Sequence, residues 1–224
     1  MHDVLLEATP DYLCSKVAAR RICDSIRRPY VVFLLRDPVD RFYSWFSFSK
    51  QNGVLDEETT ISEFLDMQEL DPDPSTPQHL RALESGRYSY YMDTYWRRLT
   101  GNLILVDFDA LVKRPWQVTS RILANAGLAP LPQGTDFGVS NKTVMIQHPG
   151  LHKRYKKVIG WFRSEFSHTP LKGFLSKTKR FLDLSYYAVN KRTEPMQITN
   201  DHVNSKLIAY YQSNGRSYKS LVED

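Results

Sequence analysis

The chain has 224 residues, 42% of them hydrophobic and 25% charged, with a net charge of +5. That is the make-up of a folded globular protein with a substantial core, in one large domain or two small ones. No run approaches the ~18 apolar residues needed to cross a bilayer, and the two cysteines, Cys14 and Cys23, fit neither a disulfide framework nor a zinc pair. The opening MHDVLLEATPDYL lacks a basic stretch followed by a long apolar one, so a cytoplasmic location is the default expectation. The sequon Asn141-Lys142-Thr143 would matter only in a secreted chain.

Val4 to Leu6 reads as a strand end. Apolar residues at Leu13, Val17, Ile22 and Ile26 predict a helix within Pro10 to Ile26, with both cysteines as small core residues on it. Tyr30 to Leu35 is a continuous apolar run of the kind buried on both faces of a parallel sheet. Asp37 suits a helix N-cap and Pro38 the first helical position, with Asn52-Gly53 ending that helix. Thr60 to Glu69 reads as a short acidic helix and Asp71 to Pro77 as a loop. A helix from about Ser89 to Leu99 precedes a second buried strand, LILVDF. Ala110 to Ala126 then reads as one helix closed by Gly127. Leu128 to Pro149 is irregular and Gly173 to Val189 a helix candidate. Val203, Leu207, Ile208 and Tyr211 mark one face of a C-terminal helix. Strands alternating with helices predict an α/β fold, a parallel sheet flanked by helices, in a single domain over 1–224, with its core in about 1–128 and a basic region in about 142–224.

Charge is unevenly spread. Lys142 to Arg192 holds twelve Lys and Arg against Glu165 and Asp183, a segment of +10, whereas Gln51 to Leu80 holds eight acids and no Lys or Arg. These are either two solvated faces or, for the basic one, a surface that attracts an anionic cofactor or acceptor. Its densest cluster is Lys153, Arg154, Lys156 and Lys157, with a second at Lys177, Lys179 and Arg180.

The sharpest chemistry lies in VVFLLRDPVDRFYSWFSF. Parallel α/β sheets bind ligands beyond the carboxyl ends of their strands, where Arg36 stands. The helix opened by Asp37-Pro38 offers N–H groups to an anion, and Ser44, seven residues after Asp37, falls on the same side two turns on. A guanidinium fork and a hydroxyl so placed would grip a phosphate. The alternative is that Arg36 pairs with Asp40 and Ser44 is indifferent. Arg41 reads as structural, and Phe42, Tyr43, Trp45, Phe46 and Phe48 as core that seals the helix against the sheet.

LLRDPVDRFYSWF resembles the 3′-phosphate-binding segment of sulfotransferases that use 3′-phosphoadenosine 5′-phosphosulfate (PAPS). The resemblance implies a P-loop-kinase-like sulfotransferase fold and assigns Arg36 and Ser44 to the cofactor's 3′-phosphate. Other pieces follow in family order. LLEATPDYL is similar to the Gly-Glu-x-[Ser/Thr]-Pro-x-Tyr segment through Glu7, Thr9, Pro10 and Tyr12, with Leu6 in place of the glycine. Gly86 and Tyr88 resemble the Gly-x-Tyr helix, Asp109-Ala110-Leu111 the turn after the next strand, and Leu207 and Tyr211 the terminal helix.

The family's other cofactor motif, a Lys-x-Gly-Thr-Thr turn that cradles the 5′-phosphosulfate, has no counterpart; the first glycine is Gly53. The expectation is therefore an N-terminally incomplete domain that alone transfers nothing: a truncated product or misjudged start whose loop lies upstream, one half of a split enzyme whose loop comes from a partner chain, or a remodelled relative. No catalytic base is assigned: Glu7 is a candidate, the alternative being that it is structural or positions groups near the cofactor. Ala8 stands where heparan-type members carry a lysine. The leading function is transfer of a sulfuryl group from PAPS, without a metal, to a hydroxyl or amine of an acceptor, an anionic carbohydrate by the charge of the 142–192 segment. The alternative is a non-catalytic module binding a nucleotide or sulfated polymer. A nucleic-acid partner is not expected, since the basic segment carries no recognition module.

Overall fold

The computed structural model describes residues 5–9, 11–70, 73, 75–99, 101–138, 154, 155, 157 and 199–223. Strands β1 (Val31–Leu35) and β2 (Leu103–Asp107) pair in parallel, with Val31 opposite Leu103 and Leu35 opposite Asp107. A parallel pair needs a crossover, and the chain supplies a long, mostly helical one. The expected α/β architecture is present, with helices flanking the sheet.

Helix α1 (Lys16–Ser25) is shorter than its pattern suggested. Ser15 caps it by accepting from the Ala18 N–H at 3.1 Å, and Tyr12–Cys14 before it form a tight 3₁₀ turn. Cys14 therefore lies in that turn, not on the helix; both thiols are free and half-buried. Leu5 and Leu6 form no strand and are exposed. Helix α2 (Pro38–Gln51) starts and stops where its sequence says, with Asp37 accepting from the Val39 and Asp40 N–H groups at 2.9 and 3.1 Å. A capping box between Thr60 and Glu63 opens the short α3 (Ile61–Asp66).

The run expected as one helix near Ser89 to Leu99 changes pitch twice. Helix α4 (Tyr88–Tyr91) passes into a π turn at Met92–Trp96 and a 3₁₀ turn at Arg97–Leu99. Ala110 to Ala126 is likewise two helices, α5 (Phe108–Lys113) and α6 (Pro115–Asn125). Pro115 has no N–H to continue α5 and holds Arg114 out of helical conformation, at φ −140° and ψ 57°. Gly127, at φ 68°, takes the left-handed position just beyond α6. Helices α7 (Asp201–Ser213) and α8 (Tyr218–Glu223) follow, and α8 is an element the sequence pattern did not signal. The helix candidate at Gly173 to Val189 lies outside the described residues.

Three clusters bury the apolar surface. Phe33 and Leu35 of β1 pack with Ala19, Tyr88, Met92, Trp96 and Leu221 on one face of the sheet. On the other face Ile104 and Val106 of β2 meet Val118 and its neighbours from α5 and α6. Those helices cover only the β2 half. Val32 and Leu34 stay 43% and 48% exposed, so β1 is buried on one face, not two.

The third cluster corrects the reading of the aromatics in α2. Phe42 and Phe46 stack on Phe64 of α3, at 5.1 and 5.3 Å, and pack against Val203 and Leu207 of α7, forming a helical core beside the sheet. Fully burying each such side chain stabilises by ~1.5–3 kcal/mol. Phe48 points away, 52% exposed. Ile208, expected on the buried face of α7, is also largely exposed.

Tyr211 closes this core by donating its hydroxyl to the Leu83 carbonyl at 3.1 Å, with its ring tight over Gly86. A Cβ at Gly86 would stand 2.6 Å from that ring. Gly86→Ala should therefore cost ~1–3 kcal/mol, as overpacking does. Chemical denaturation checks this, and an unchanged midpoint would show that the ring yields freely.

Candidate functional site

Both strands end at the same level, and each runs directly into a helix capped by an aspartate. Asp37 caps α2, and Asp107, opposite Leu35, caps α5 by accepting from the Asp109 N–H at 3.0 Å. One residue past Leu35 is Arg36, and one past Asp107 is Phe108. The Arg36 guanidinium lies over the Phe108 ring, 5.5 Å from its centroid. The Arg36 backbone is fixed too, since its carbonyl accepts from the Tyr88 hydroxyl at 2.9 Å.

Arg36 makes no ion pair with Asp40 in the structure. Its Nε is buried without a hydrogen-bond partner among the described residues, and so is that of Arg87, whose guanidinium lies 4.6 Å over the Tyr90 ring. An unsatisfied buried donor costs ~1–3 kcal/mol, and an anion at the strand ends would relieve it. Ser44 lies half-buried on the outer flank of α2, opposite the buried row of Pro38, Phe42, Phe46 and Ser49. Its hydroxyl has no hydrogen-bond partner among the described residues. Arg41, read as structural, donates to the Ala82 carbonyl at 3.0 Å and stacks on Trp45.

A cavity of about 290 Å³ opens beside this junction. Asp37 and Pro38 form one wall, Arg87 and Ser89 a second, and the turn that carries Gly215 and Arg216, with Lys219 at the start of α8, a third. Sequence reasoning missed this turn. Its signal was present in SNGRSYK, a glycine turn set among polar and basic residues, which suits anion binding by backbone and side chain together. Gly215 sits at φ 141°, and a Cβ there would collide with the Ser89 hydroxyl, so the turn approaches α4 only with glycine.

Tyrosines brace the site. The Tyr218 hydroxyl donates to the Asp107 carboxylate, joining α8 to the end of β2, while Tyr88 joins α4 to the end of β1. Burial holds the phenols of Tyr218 and Tyr211 well above their usual range and pushes Tyr88 up to about 12.

Other residues singled out in the sequence lie elsewhere. Glu7 is in the exposed N-terminal stretch, its carboxylate accepting from the Thr9 hydroxyl, and no hydrogen bond or ion pair ties it to Arg36. Arg154 and Lys157 are exposed and do not line the cavity. Lys153 and Lys156 lie outside the described residues.

The chain matches the family model described as the sulfotransferase domain over residues 24–135, half its length. The matched span holds both strands, α2 and the whole Arg36–Ser44 junction. The chain belongs to the sulfotransferase domain family. Similar curated proteins include bifunctional heparan sulfate N-deacetylase/N-sulfotransferase 1 of Xenopus tropicalis, 26% identical over 109 residues, which are 46% of this chain and 12% of that protein. Human bifunctional heparan sulfate N-deacetylase/N-sulfotransferase 2 is 27% identical over 136 residues, 57% of this chain and 15% of that protein. Human enzyme 3 of the same name is 24% identical over 134 residues, again 57% and 15%. The aligned region is thus a small part of these long relatives.

The bracing tyrosines predict an alkaline limit. With Tyr88 at about 12 in the fold and ~10 when unfolded, its contribution is complete below ~10 and is lost as pH rises toward the folded value. Phenolate absorbance should show exposed tyrosines titrating first, then a cooperative step that coincides with loss of circular dichroism. A smooth titration with no such step would contradict the burial described.

Proposed function

We propose that this sulfotransferase-family chain binds PAPS through its 3′-phosphate, gripped by Arg36 and Ser44, in support of sulfuryl transfer to an anionic carbohydrate. The observation that carries the reading is the Arg36 side chain, held over Phe108 at the carboxyl end of β1 with a buried Nε that lacks a partner. The resemblance of LLRDPVDRFYSWF to the family's 3′-phosphate segment points to the same two residues. Arg87, Arg216 and Lys219 around the adjoining cavity add positive charge for the rest of the nucleotide.

PAPS supplies an activated sulfuryl group; the protein's part is to hold the donor, align the acceptor with the bond being broken and place a base near the acceptor's proton. Within this sequence we assign donor recognition to the 3′-phosphate end, because no Lys-x-Gly-Thr-Thr loop is present to hold the 5′-phosphosulfate. Glu7 remains the candidate base. For the acceptor, the support is the +10 charge of Lys142 to Arg192 and the names of the relatives, which act on heparan sulfate. Ala8, in place of a lysine, sets this chain apart from the heparan-type pattern, so the proposal stops at an anionic carbohydrate.

Titration with 3′-phosphoadenosine 5′-phosphate tests the donor half. Arg36→Ala should weaken binding by more than ~1.5 kcal/mol, a lost charge-assisted hydrogen bond, and Ser44→Ala by less. Neither should affect a nucleotide lacking the 3′-phosphate, and equal losses for both ligands would refute the assignment. The acceptor half is tested by reversing Lys156 and Lys157 to Glu. Retention on immobilised sulfated polysaccharide should then collapse while nucleotide affinity holds, and unchanged retention would remove the cluster from the acceptor site.

A further inference from the structure

A second cavity, of about 460 Å³, lies along the outer edge of β2. Three consecutive strand residues, Leu103, Ile104 and Leu105, line it, which puts it at the strand's edge, since a cavity on one face would meet alternate residues. The direction of the backbone groups follows from one bond. Val31 donates to the Asn102 carbonyl at 2.9 Å, and Val31 is opposite Leu103. A strand residue's N–H and C=O point to the same side, so Asn102, Ile104 and Val106 face β1. Leu103 and Leu105 therefore turn theirs outward, into the cavity. Among the described residues β2 pairs with no strand but β1.

The surroundings select a class of ligand. Met92 and Leu221 give the cavity an apolar wall, while Arg97, Arg121 and Arg216 bring three guanidinium groups to it. Among the described residues Asp93 is the one acid that lines it, and it pairs with Arg216 at 3.3 Å. The lining is thus net cationic. A row of outward N–H and C=O groups beside an apolar wall and arginines offers an extended peptide main-chain pairing, alternate apolar contacts and partners for its carboxylates.

We infer that the outer edge of β2 docks an extended, acidic peptide segment of another protein, which adds to the sheet as a further strand. Charge complementarity argues for that occupant over this chain's own segments. The 142–192 stretch carries +10, the wrong sign for the arginines. The acid-rich stretch from 51 to 80, offered by a second copy, contains helix α3 and Pro72, Pro74 and Pro77, which cannot donate to a ladder. A sulfated polysaccharide would answer the arginines but not the alternating N–H and C=O groups. The site is separate from Arg36 and Ser44, and its assignment does not depend on the donor proposal.

The test uses the 224-residue chain and a fluorescein-labelled peptide of alternating Val and Glu, followed by anisotropy at physiological salt. The peptide should bind. Methylation of the backbone nitrogens along one of its edges, with its charge unchanged, should weaken binding at least ~10-fold, as loss of ladder hydrogen bonds does. Arg121→Glu should weaken it ~5-fold or more while leaving the affinity for 3′-phosphoadenosine 5′-phosphate unchanged. Arg121 is the probe because Arg216 also lines the cavity at the strand ends. Absence of peptide binding, or equal affinity for the methylated peptide, would overturn the inference. So would binding of a heparin oligosaccharide that Arg121→Glu abolishes in a chain that ignores the peptide.

Discussion

The parallel pairing of Leu35 with Asp107 is the constraint on which the site rests. It sets two strand ends level, and an aspartate at each end then starts a helix, Asp37 by capping α2 and Asp107 by capping α5. Because the ends are level, the next residues, Arg36 and Phe108, fall side by side, and the ring receives the guanidinium. A one-residue slip would point both side chains to opposite faces of the sheet and part them. The arginine's position is thus a consequence of register.

Around this junction two tyrosines brace the strand ends. Tyr88 fixes the Arg36 carbonyl, and Tyr218 holds the Asp107 carboxylate that already caps α5. Among the described residues the Arg36 guanidinium itself meets the Phe108 ring, and its buried Nε has no partner. A residue whose main chain is locked and whose buried Nε has no partner among the described residues is preorganised for an anion, because little ordering remains to be done when the ligand arrives. The helical core of Phe42, Phe46, Phe64, Val203 and Leu207 serves the same end from a distance, since it anchors α2, the helix that carries Ser44.

Much of this was legible in the sequence, and the reasons differ by element. The Asp37-Pro38 start of α2 and the Gly127 stop after α6 were readable because capping is local chemistry. The strand-to-helix junction that carries Arg36 was readable because a strand, a cap and a helix follow one another without interruption. The single helix expected across Pro115 failed because apolar spacing continues through a proline that the backbone cannot. The exposure of Val32 and Leu34 was hidden because an apolar run reports what a strand would bury, not which neighbours cover it. The aromatics of α2 read as sheet-facing core, yet their partners lie on α3 and α7, contacts between residues far apart in the chain. The Gly215 turn escaped notice because its place beside Arg87 and Asp37 comes from how α7 and α8 fold back, which no local pattern records.

Whether the strand-end arginine receives a phosphate is decided by a crystal structure of the chain with 3′-phosphoadenosine 5′-phosphate. The 3′-phosphate should lie within hydrogen-bond distance of the Arg36 guanidinium and the Ser44 hydroxyl, with Arg36 still over Phe108 and its carbonyl still bonded to Tyr88. A nucleotide whose 3′-phosphate touches neither residue would contradict that assignment.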